Sequence, residues 1–201
     1  MSRAGSLIAL ALLAGAGIGA TWLLQDLSAP HIAAERKRIE SRTLLDMLAA
    51  DSYDNQPLEQ PLPLTASTLN HSTLMGAYRA TRDGRPVAIL LRSQAPGYAG
   101  QIEWLIAIDP LGKLIGVKTL RQTETPALGG LIGDWPNAWL QTFTGKSVNE
   151  PEDAGWGLKK DRGQFDQIAG ATVTSRAAVN AIHDALRYFD EHRAILLGNA
   201  E

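Results

Sequence analysis

The sequence predicts an α+β domain, in which helices pack on an antiparallel sheet, preceded by a single N-terminal transmembrane helix and a stalk helix. Three observations lead to this prediction. A long apolar run opens the chain, two pairs of β-prone segments are joined by glycine-containing turns, and an amphipathic helical pattern closes the chain. We therefore expect a membrane anchor at 1–25, a stalk helix and linker at 26–68, and a globular domain at 69–201.

The N-terminal apolar run is long enough to cross a membrane. No charged residue occurs from Ala4 to Gln25, and about 20 apolar residues span the roughly 30 Å of hydrocarbon in a bilayer. A cleaved secretory signal is the alternative, because Arg3 supplies the positive start that such signals have. The apolar region of a signal usually has only about 7–15 residues, so we favour a retained anchor.

The charges on either side of this run bear on its orientation. Four basic residues follow it, whereas only Arg3 and the α-amino group precede it. Basic residues concentrate on the cytoplasmic side of a membrane segment, so this rule by itself places the C-terminal domain in the cytoplasm. The four residues are Arg36, Lys37, Arg38 and Arg42.

The segment between the anchor and the domain contains a predicted helix and a predicted linker. Residues 31–50 carry a thin apolar stripe at helical spacing, which indicates a stalk or lead-in helix. Three prolines, Pro57, Pro61 and Pro63, indicate an extended linker over 51–65.

The globular domain opens with two predicted hairpins. Asp83-Gly84 stands between two β-prone runs, which is a strong hairpin signal. A second glycine turn, around Gly112, separates the next two runs, and a glycine-rich connection from Gly97 to Gly100 joins the hairpins. The four predicted strands are Leu74–Thr81, Val87–Arg92, Ile102–Asp109 and Leu114–Leu120.

The second half of the domain is predicted to be helical at two places. Pro136–Phe143 is expected to form a short helix, and an amphipathic helix is expected from Ser175 to about Leu196. The polar stretch between them is expected to be irregular, and we interpret its charged residues, from Lys159 to Arg162, as a solvated loop.

Composition excludes several classes of function. The chain has 201 residues and a formal net charge of -2, which argues against nucleic acid as a partner. It has no cysteine, so disulfides, thiolate metal sites and iron–sulfur clusters are excluded. The four histidines lack metal-ligand spacing. Any redox chemistry therefore requires a bound organic cofactor.

The stretch from Asp166 to Ser175 has the features of a phosphate site. Gly170 permits a sharp turn, and Thr172 stands just before the last helix, whose expected N-cap is Thr174 or Ser175. Unpaired amide groups and a partial positive charge make a helix N-terminus favourable for phosphate. Asp166 is a candidate to hold a divalent ion against that phosphate. On these residues alone, a turn with an ordinary threonine cap at the start of a helix is the favoured interpretation.

The same stretch resembles the target sequence of the bacterial flavin transferase. Asp166, Gly170, Ala171 and Thr172 match that target, while Ala169 replaces its usual Ser or Thr. The resemblance implies that Thr172 receives FMN through its phosphate, by transfer from FAD, with Mg²⁺ taking part only transiently.

A second motif, upstream, resembles the G subunit of the Rnf electron-transport complex. Residues 124–129, Glu-Thr-Pro-Ala-Leu-Gly, are similar to the Glu-Thr-Pro-Gly-Leu-Gly signature of that protein. Ala127 replaces a Gly, and Gln122 stands where a His is frequent. The C subunit of the Na⁺-pumping NADH:quinone reductase is a related family. The resemblance covers nearly the whole chain, most specifically residues 97–129 and 166–176.

The resemblance implies a function and a set of cofactor contacts. The chain would be a membrane-anchored electron carrier with covalent FMN, assembled with other membrane subunits of an Rnf-type complex and matured by the flavin transferase. Its domain would lie on the periplasmic side of the inner membrane, against the charge rule above. Beside the attachment sequence, which includes Thr174, the loop residues expected along the flavin ring are Glu124, Thr125, Leu128 and Gly129.

Two other functions remain open. The chain would be a stalked extracytoplasmic binding module if Gly-Ala-Thr only caps a helix. A free-standing flavin reductase is disfavoured, because the sequence has no Gly-x-Gly-x-x-Gly fingerprint and no evident acid–base set. We expect Tyr98 and the tryptophans of the domain to lie in the core or at the rim of the site.

Overall fold

The computed structural model describes residues 43–198 and the isolated positions 15, 17, 21, 22, 25 and 41. The chain divides into two compact units, Met1–Thr43 and Leu44–Glu201. Most of the expected anchor and of the 31–50 helix lies outside the described residues. Within the described part, no helix is both long enough and apolar enough to cross a membrane.

The second unit is built on a five-stranded antiparallel meander. Each strand pairs with the next along the chain, so the spatial order is the sequence order. The antiparallel sheet predicted from the sequence is therefore confirmed. The strands are β1 Pro61–Leu62, β2 Thr73–Arg82, β3 Arg85–Pro96, β4 Gln101–Ile108 and β5 Leu114–Arg121.

The β2–β3 hairpin forms as its turn sequence predicts. Asp83 and Gly84 both have positive φ, at 51° and 74°. Two such residues make a tight turn that matches the right-handed twist of the flanking strands. The strands therefore close directly around the turn, with Arg82 opposite Arg85.

Three helices follow the sheet: α1 Ala138–Gln141, α2 Thr172–Glu191 and α3 Arg193–Leu197. The helix predicted from Ser175 thus begins three residues earlier, and its N-cap is Ala171 rather than Thr174 or Ser175. The Ser175 hydroxyl donates to the Ala171 carbonyl at 2.8 Å and accepts from the Ile168 amide at 2.9 Å. The Ser175 side chain therefore forms hydrogen bonds within the first turn of α2 and does not cap the helix. The predicted continuation to Leu196 is interrupted at His192.

Helix α2 packs its apolar face on one side of the sheet and forms the main core. Residues of β3 and β4 meet residues of the helix in this cluster, among them Trp104, Ile106, Ile182 and Phe189. Seven of the eight residues of β4 are buried, because this strand is covered on both of its faces. The sheet therefore holds the start of α2 close to the turns at the ends of its strands.

The other face of the sheet is covered by residues that precede it in sequence. Leu45 and Leu48 are buried in a second cluster with Leu90 and Leu105. Farther along, Asn55 exchanges two hydrogen bonds of 2.9 Å with the backbone of β2. Residues 44–58, part of the 26–68 segment that we assigned to a stalk and linker, thus pack on the sheet, and Pro61–Leu62 of the same segment forms its first strand.

Candidate cofactor site

A cavity of about 380 Å³ opens at the N-terminus of α2. Three chain segments meet there: the β3–β4 turn, the loop after β5 and the first turn of α2. The structure brings together all of the predicted site residues except Asp166, and it adds Tyr98 and Val173. The lining residues are Tyr98, Glu124, Thr125, Leu128, Gly129, Gly170, Ala171, Thr172, Val173 and Thr174.

Glu124 joins the three segments. Its side chain is buried, with 5% of the residue exposed. One carboxylate oxygen accepts from the Ala99 amide at 2.8 Å, and the other accepts from the Tyr98 amide at 3.3 Å and from the Thr174 hydroxyl. Buried carboxylates are stable only when such donors compensate them. Glu124 therefore orders the site, and its oxygens are already engaged by the protein.

Gly129 is required where the loop passes Glu124. A Cβ atom at this position would lie 2.6 Å from the Thr174 hydroxyl oxygen and 2.8 Å from a carboxylate oxygen of Glu124. Gln122 shapes the same loop, because its side-chain oxygen accepts from the Glu124 amide at 2.6 Å. Gln122 thus has a structural role at the position where the Rnf protein often has His.

The walls of the cavity are partly apolar and open to solvent. Leu128 remains 43% exposed, and Tyr98 and Val173 are also exposed. Gly170 has a φ of 73°, and a Cβ there would approach Leu128 Cδ2 to 2.8 Å. Exposed apolar side chains beside convergent polar groups are typical of a site for a flat, partly apolar ring.

Thr172 presents its hydroxyl at the beginning of α2. The hydroxyl donates to the Gln167 side-chain oxygen at 3.0 Å, and its oxygen lies 3.5 Å from the Lys160 ammonium. The first amide groups of a helix have no partners within the helix. Within the described chain, no side chain caps α2 at this end. The N-cap of α2 is Ala171. Thr172 therefore does not cap the helix, which was the alternative to a phosphate site in the sequence analysis.

Asp166 lines a neighbouring cavity of about 350 Å³ instead, with Leu158, Lys159, Lys160 and Gln167. Its side chain is 73% exposed and pairs with Lys159 at 2.7 Å. Among the described residues, no group of three or more His, Asp or Glu side chains is arranged to hold a metal ion.

Sequence reasoning missed Lys160 and Gln167. We interpreted Lys159 to Arg162 as a solvated loop, and the lysines are indeed exposed. The loop is held against α2 because Arg176 donates to Asp161 at 2.8 and 3.0 Å. These partners lie 15 residues apart in the sequence. No local sequence pattern predicts their contact.

The family is established by comparison with known sequences. A family model described as FMN-binding domain matches residues 97–187, which include every residue lining the cavity at the start of α2. The G subunit of the ion-translocating oxidoreductase complex from Pseudomonas aeruginosa (strain UCBPP-PA14) is 43% identical, over 96% of this chain and 91% of that protein. This chain belongs to that family of G subunits. Its resemblance to the Rnf protein is thereby confirmed.

Another member of the G-subunit family is similar in sequence over most of the chain. The protein of Vibrio vulnificus (strain YJ016) is 35% identical over 94% of this chain and 90% of its own length. Among solved structures, Shewanella oneidensis NqrC is similar at a TM-score of 0.47 and 20% identity, covering 76% of this chain and 75% of that chain.

The residues around the cavity at the start of α2 fit FMN. The volume of this cavity, about 380 Å³, lies within the roughly 300–1,000 Å³ of small-molecule sites. Leu128 and Val173 offer an apolar wall to a ring, and the start of α2, with Lys160 beside it, offers positive charge to a phosphate. The cavity therefore has distinct places for the two ends of the nucleotide.

Proposed function

We propose that this protein is an electron-carrying subunit of an ion-translocating redox complex, with FMN bound covalently to Thr172 through a phosphoester. The observation that carries the proposal is the Thr172 hydroxyl, which stands at the first residue of the uncapped helix α2 and on the rim of the cavity. FMN supplies reversible electron transfer when it is bound.

The attachment requires one bond exchange at Thr172. The Thr172 oxygen forms a bond to the phosphorus next to the riboflavin part of FAD, the bond between the two phosphates breaks, and AMP leaves. The hydroxyl gives up its proton in the same exchange. Asp166, exposed in the segment that leads to Thr172, would exchange its ion pair with Lys159 for a transient Mg²⁺ while the flavin transferase acts.

The protein's own residues then hold the flavin. Thr125, Leu128 and Gly129 face the cavity as a loop, and Glu124 holds this loop against Thr174 and the β3–β4 turn. A covalent bond suits an electron carrier that must keep its cofactor where free FMN is not replenished. The relatives are named as subunits of an ion-translocating oxidoreductase complex, so we expect other membrane subunits as partners.

The decisive experiment is intact mass spectrometry after co-expression with the flavin transferase. The wild type should carry the mass of one FMN, and denatured protein should fluoresce in a gel. Thr172→Ala should abolish both signals, whereas Thr172→Ser should keep them because it retains the hydroxyl. Thr144→Ala, at an exposed threonine outside the site, is the matched control. A wild type without the flavin mass would favour the stalked binding module.

We place the domain on the periplasmic side of the bacterial inner membrane, behind a single anchor at 1–25. Large domains cross the membrane in spite of nearby basic residues, which reconciles this placement with Arg36 to Arg42. A topology reporter fused after Glu201 should be active only in the periplasm, and cytoplasmic activity would refute the placement.

A further inference from the structure

Two consecutive lysines beside Thr172 have different partners. The Lys159 ammonium pairs with the Asp166 carboxylate at 2.7 Å. The Lys160 ammonium instead lies 3.5 Å from the Thr172 hydroxyl oxygen. Both lysines belong to the short 3₁₀ turn Lys159–Asp161. One is paired with Asp166, and its neighbour lies beside the proposed attachment atom.

The position of Lys160 depends on tertiary contacts. Asp161, the next residue, accepts two hydrogen bonds from Arg176 of α2. The Leu158 carbonyl accepts from the amides of Asp161 and Gly163, at 2.7 and 2.9 Å. The bonds to Leu158 shape the turn, and the Arg176 contact holds it against the first part of α2, which leaves the Lys160 ammonium 3.5 Å from the Thr172 hydroxyl oxygen.

We infer that Lys160 binds the phosphate of the flavin nucleotide, forming a charge-assisted hydrogen bond to a non-bridging phosphate oxygen. This inference rests on the proposed function, since it takes the phosphate to lie at Thr172. A phosphodiester on Thr172 is a monoanion, and a helix N-terminus supplies only about half a positive charge. The Lys160 ammonium supplies one further positive charge, enough to complete the compensation, without any proton transfer or bond exchange. Lys159 has no such role, because Asp166 already engages it.

The first test measures the melting temperature of the full-length protein with and without attached flavin. Lys160→Ala should leave the flavin-free protein unchanged and lower the melting temperature of the flavin-bearing protein by about 2 °C. Lys160→Arg should restore it, because the positive charge is retained. Lys159→Ala is the matched control and should act equally on both forms. An equal effect of Lys160→Ala on both forms would overturn the inference.

The second test uses full-length protein made without the transferase and compares free FMN with riboflavin, which lacks the phosphate. Lys160→Ala should weaken FMN binding about fivefold and leave riboflavin binding unchanged. The difference should shrink as salt is raised, because the site is exposed. FMN that binds wild type no better than riboflavin would overturn the inference.

The two tests separate the inference from the proposed function. Covalent attachment fails if wild type never carries the flavin mass, and the role of Lys160 is then decided by the comparison of FMN with riboflavin. The role of Lys160 fails alone if wild type and Lys160→Ala both carry flavin and neither test distinguishes them.

Discussion

At the scale of single residues, the site depends on one buried carboxylate. Glu124 accepts hydrogen bonds from Ala99, Tyr98 and Thr174, which belong to two different segments. It comes itself from a third segment, the loop after β5. Three segments that meet at the rim of the sheet are therefore held together by polar contacts, and the cavity keeps its shape only while these contacts exist.

Glu124→Gln should loosen the site. An amide has one accepting oxygen and two N–H donors, so its nitrogen would face the Ala99 amide in one orientation and the Tyr98 amide in the other. Leaving a buried donor unsatisfied costs about 1–3 kcal/mol of unfolding free energy. We expect slower flavin incorporation by intact mass as well as a lower denaturant midpoint. Glu103→Gln, which weakens the partly buried ion pair with Arg92 on the sheet, is the control and should lower only the midpoint.

Gly170→Ala should impair the site through Leu128. Gly170 and Gly84 have nearly equal φ, at 73° and 74°, and a left-handed conformation costs a non-glycine residue about 1–2 kcal/mol. Gly84→Ala is therefore a matched control, because its Cβ would meet nothing within 4 Å. Both variants should lose similar unfolding free energy in urea, but only Gly170→Ala should reduce flavin incorporation. Equal incorporation in the two variants would contradict this account of Leu128.

At the scale of elements, the residues before the domain are a structural part of it. The turn after Leu44 buries Leu45 and Leu48 on the sheet face that α2 does not cover. Lys118 of β5 reinforces this contact, because its ammonium pairs with Asp46 at 2.8 Å and lies 4.5 Å from the centre of the Trp135 ring. A sheet with apolar residues on both faces needs a second cover, which residues 44–50 provide.

Leu45→Ala should destabilise the domain strongly. Only 3% of Leu45 is exposed, and removing a buried leucine side chain costs about 2–5 kcal/mol. Leu111→Ala is the matched control, since Leu111 is 77% exposed and its loss should change the unfolding free energy by less than about 0.5 kcal/mol. The measurement is chemical denaturation of the two variants. Similar midpoints would show that 44–50 is only a lead-in to the domain.

The elements differ in how far the sequence predicts them. The hairpins are predictable because Asp83-Gly84 and the glycine at 112 require turns at their positions. The start of α2 is not, since Thr174 and Ser175 both resemble caps locally but serve Glu124 and the Ala171 carbonyl in the folded chain. Strand β1 is not predictable from the sequence, because its two residues are assigned to a strand only through their pairing with β2.

At the scale of the whole molecule, α2 links the cofactor site to a titratable group farther along the helix. His183 stacks on Trp156 with ring centres 4.9 Å apart, and its Nε2 lies 3.2 Å from Asp153. Burial, followed by the nearby Arg187 charge, lowers the pKa of His183, while the carboxylates of Asp153 and Asp184 oppose this shift only in part.

Acid should therefore destabilise the wild type through His183. Its pKa in the folded chain lies below the usual 6.5, so the unfolded chain binds more protons as pH falls below that value, and stability is lost. Above about pH 6.5 this contribution is fully present. The difference between urea midpoints at about pH 7.5 and about pH 5.5 should be smaller in His183→Gln than in wild type. An unchanged difference would exclude His183 as the cause.

The sequence by itself determined the family, the hairpins and the two motifs from which the site is built. These depend on local chemistry: glycines where φ is positive, apolar alternation in strands, and Asp166 to Thr172 and Glu124 to Gly129 as recognisable stretches. Only the tertiary structure decided that Glu124 ties the motifs together, that Asp166 faces a neighbouring cavity and that Lys160 reaches Thr172. Each of these contacts joins residues that are separated along the chain, and packing of the sheet against α2 sets the distance between them.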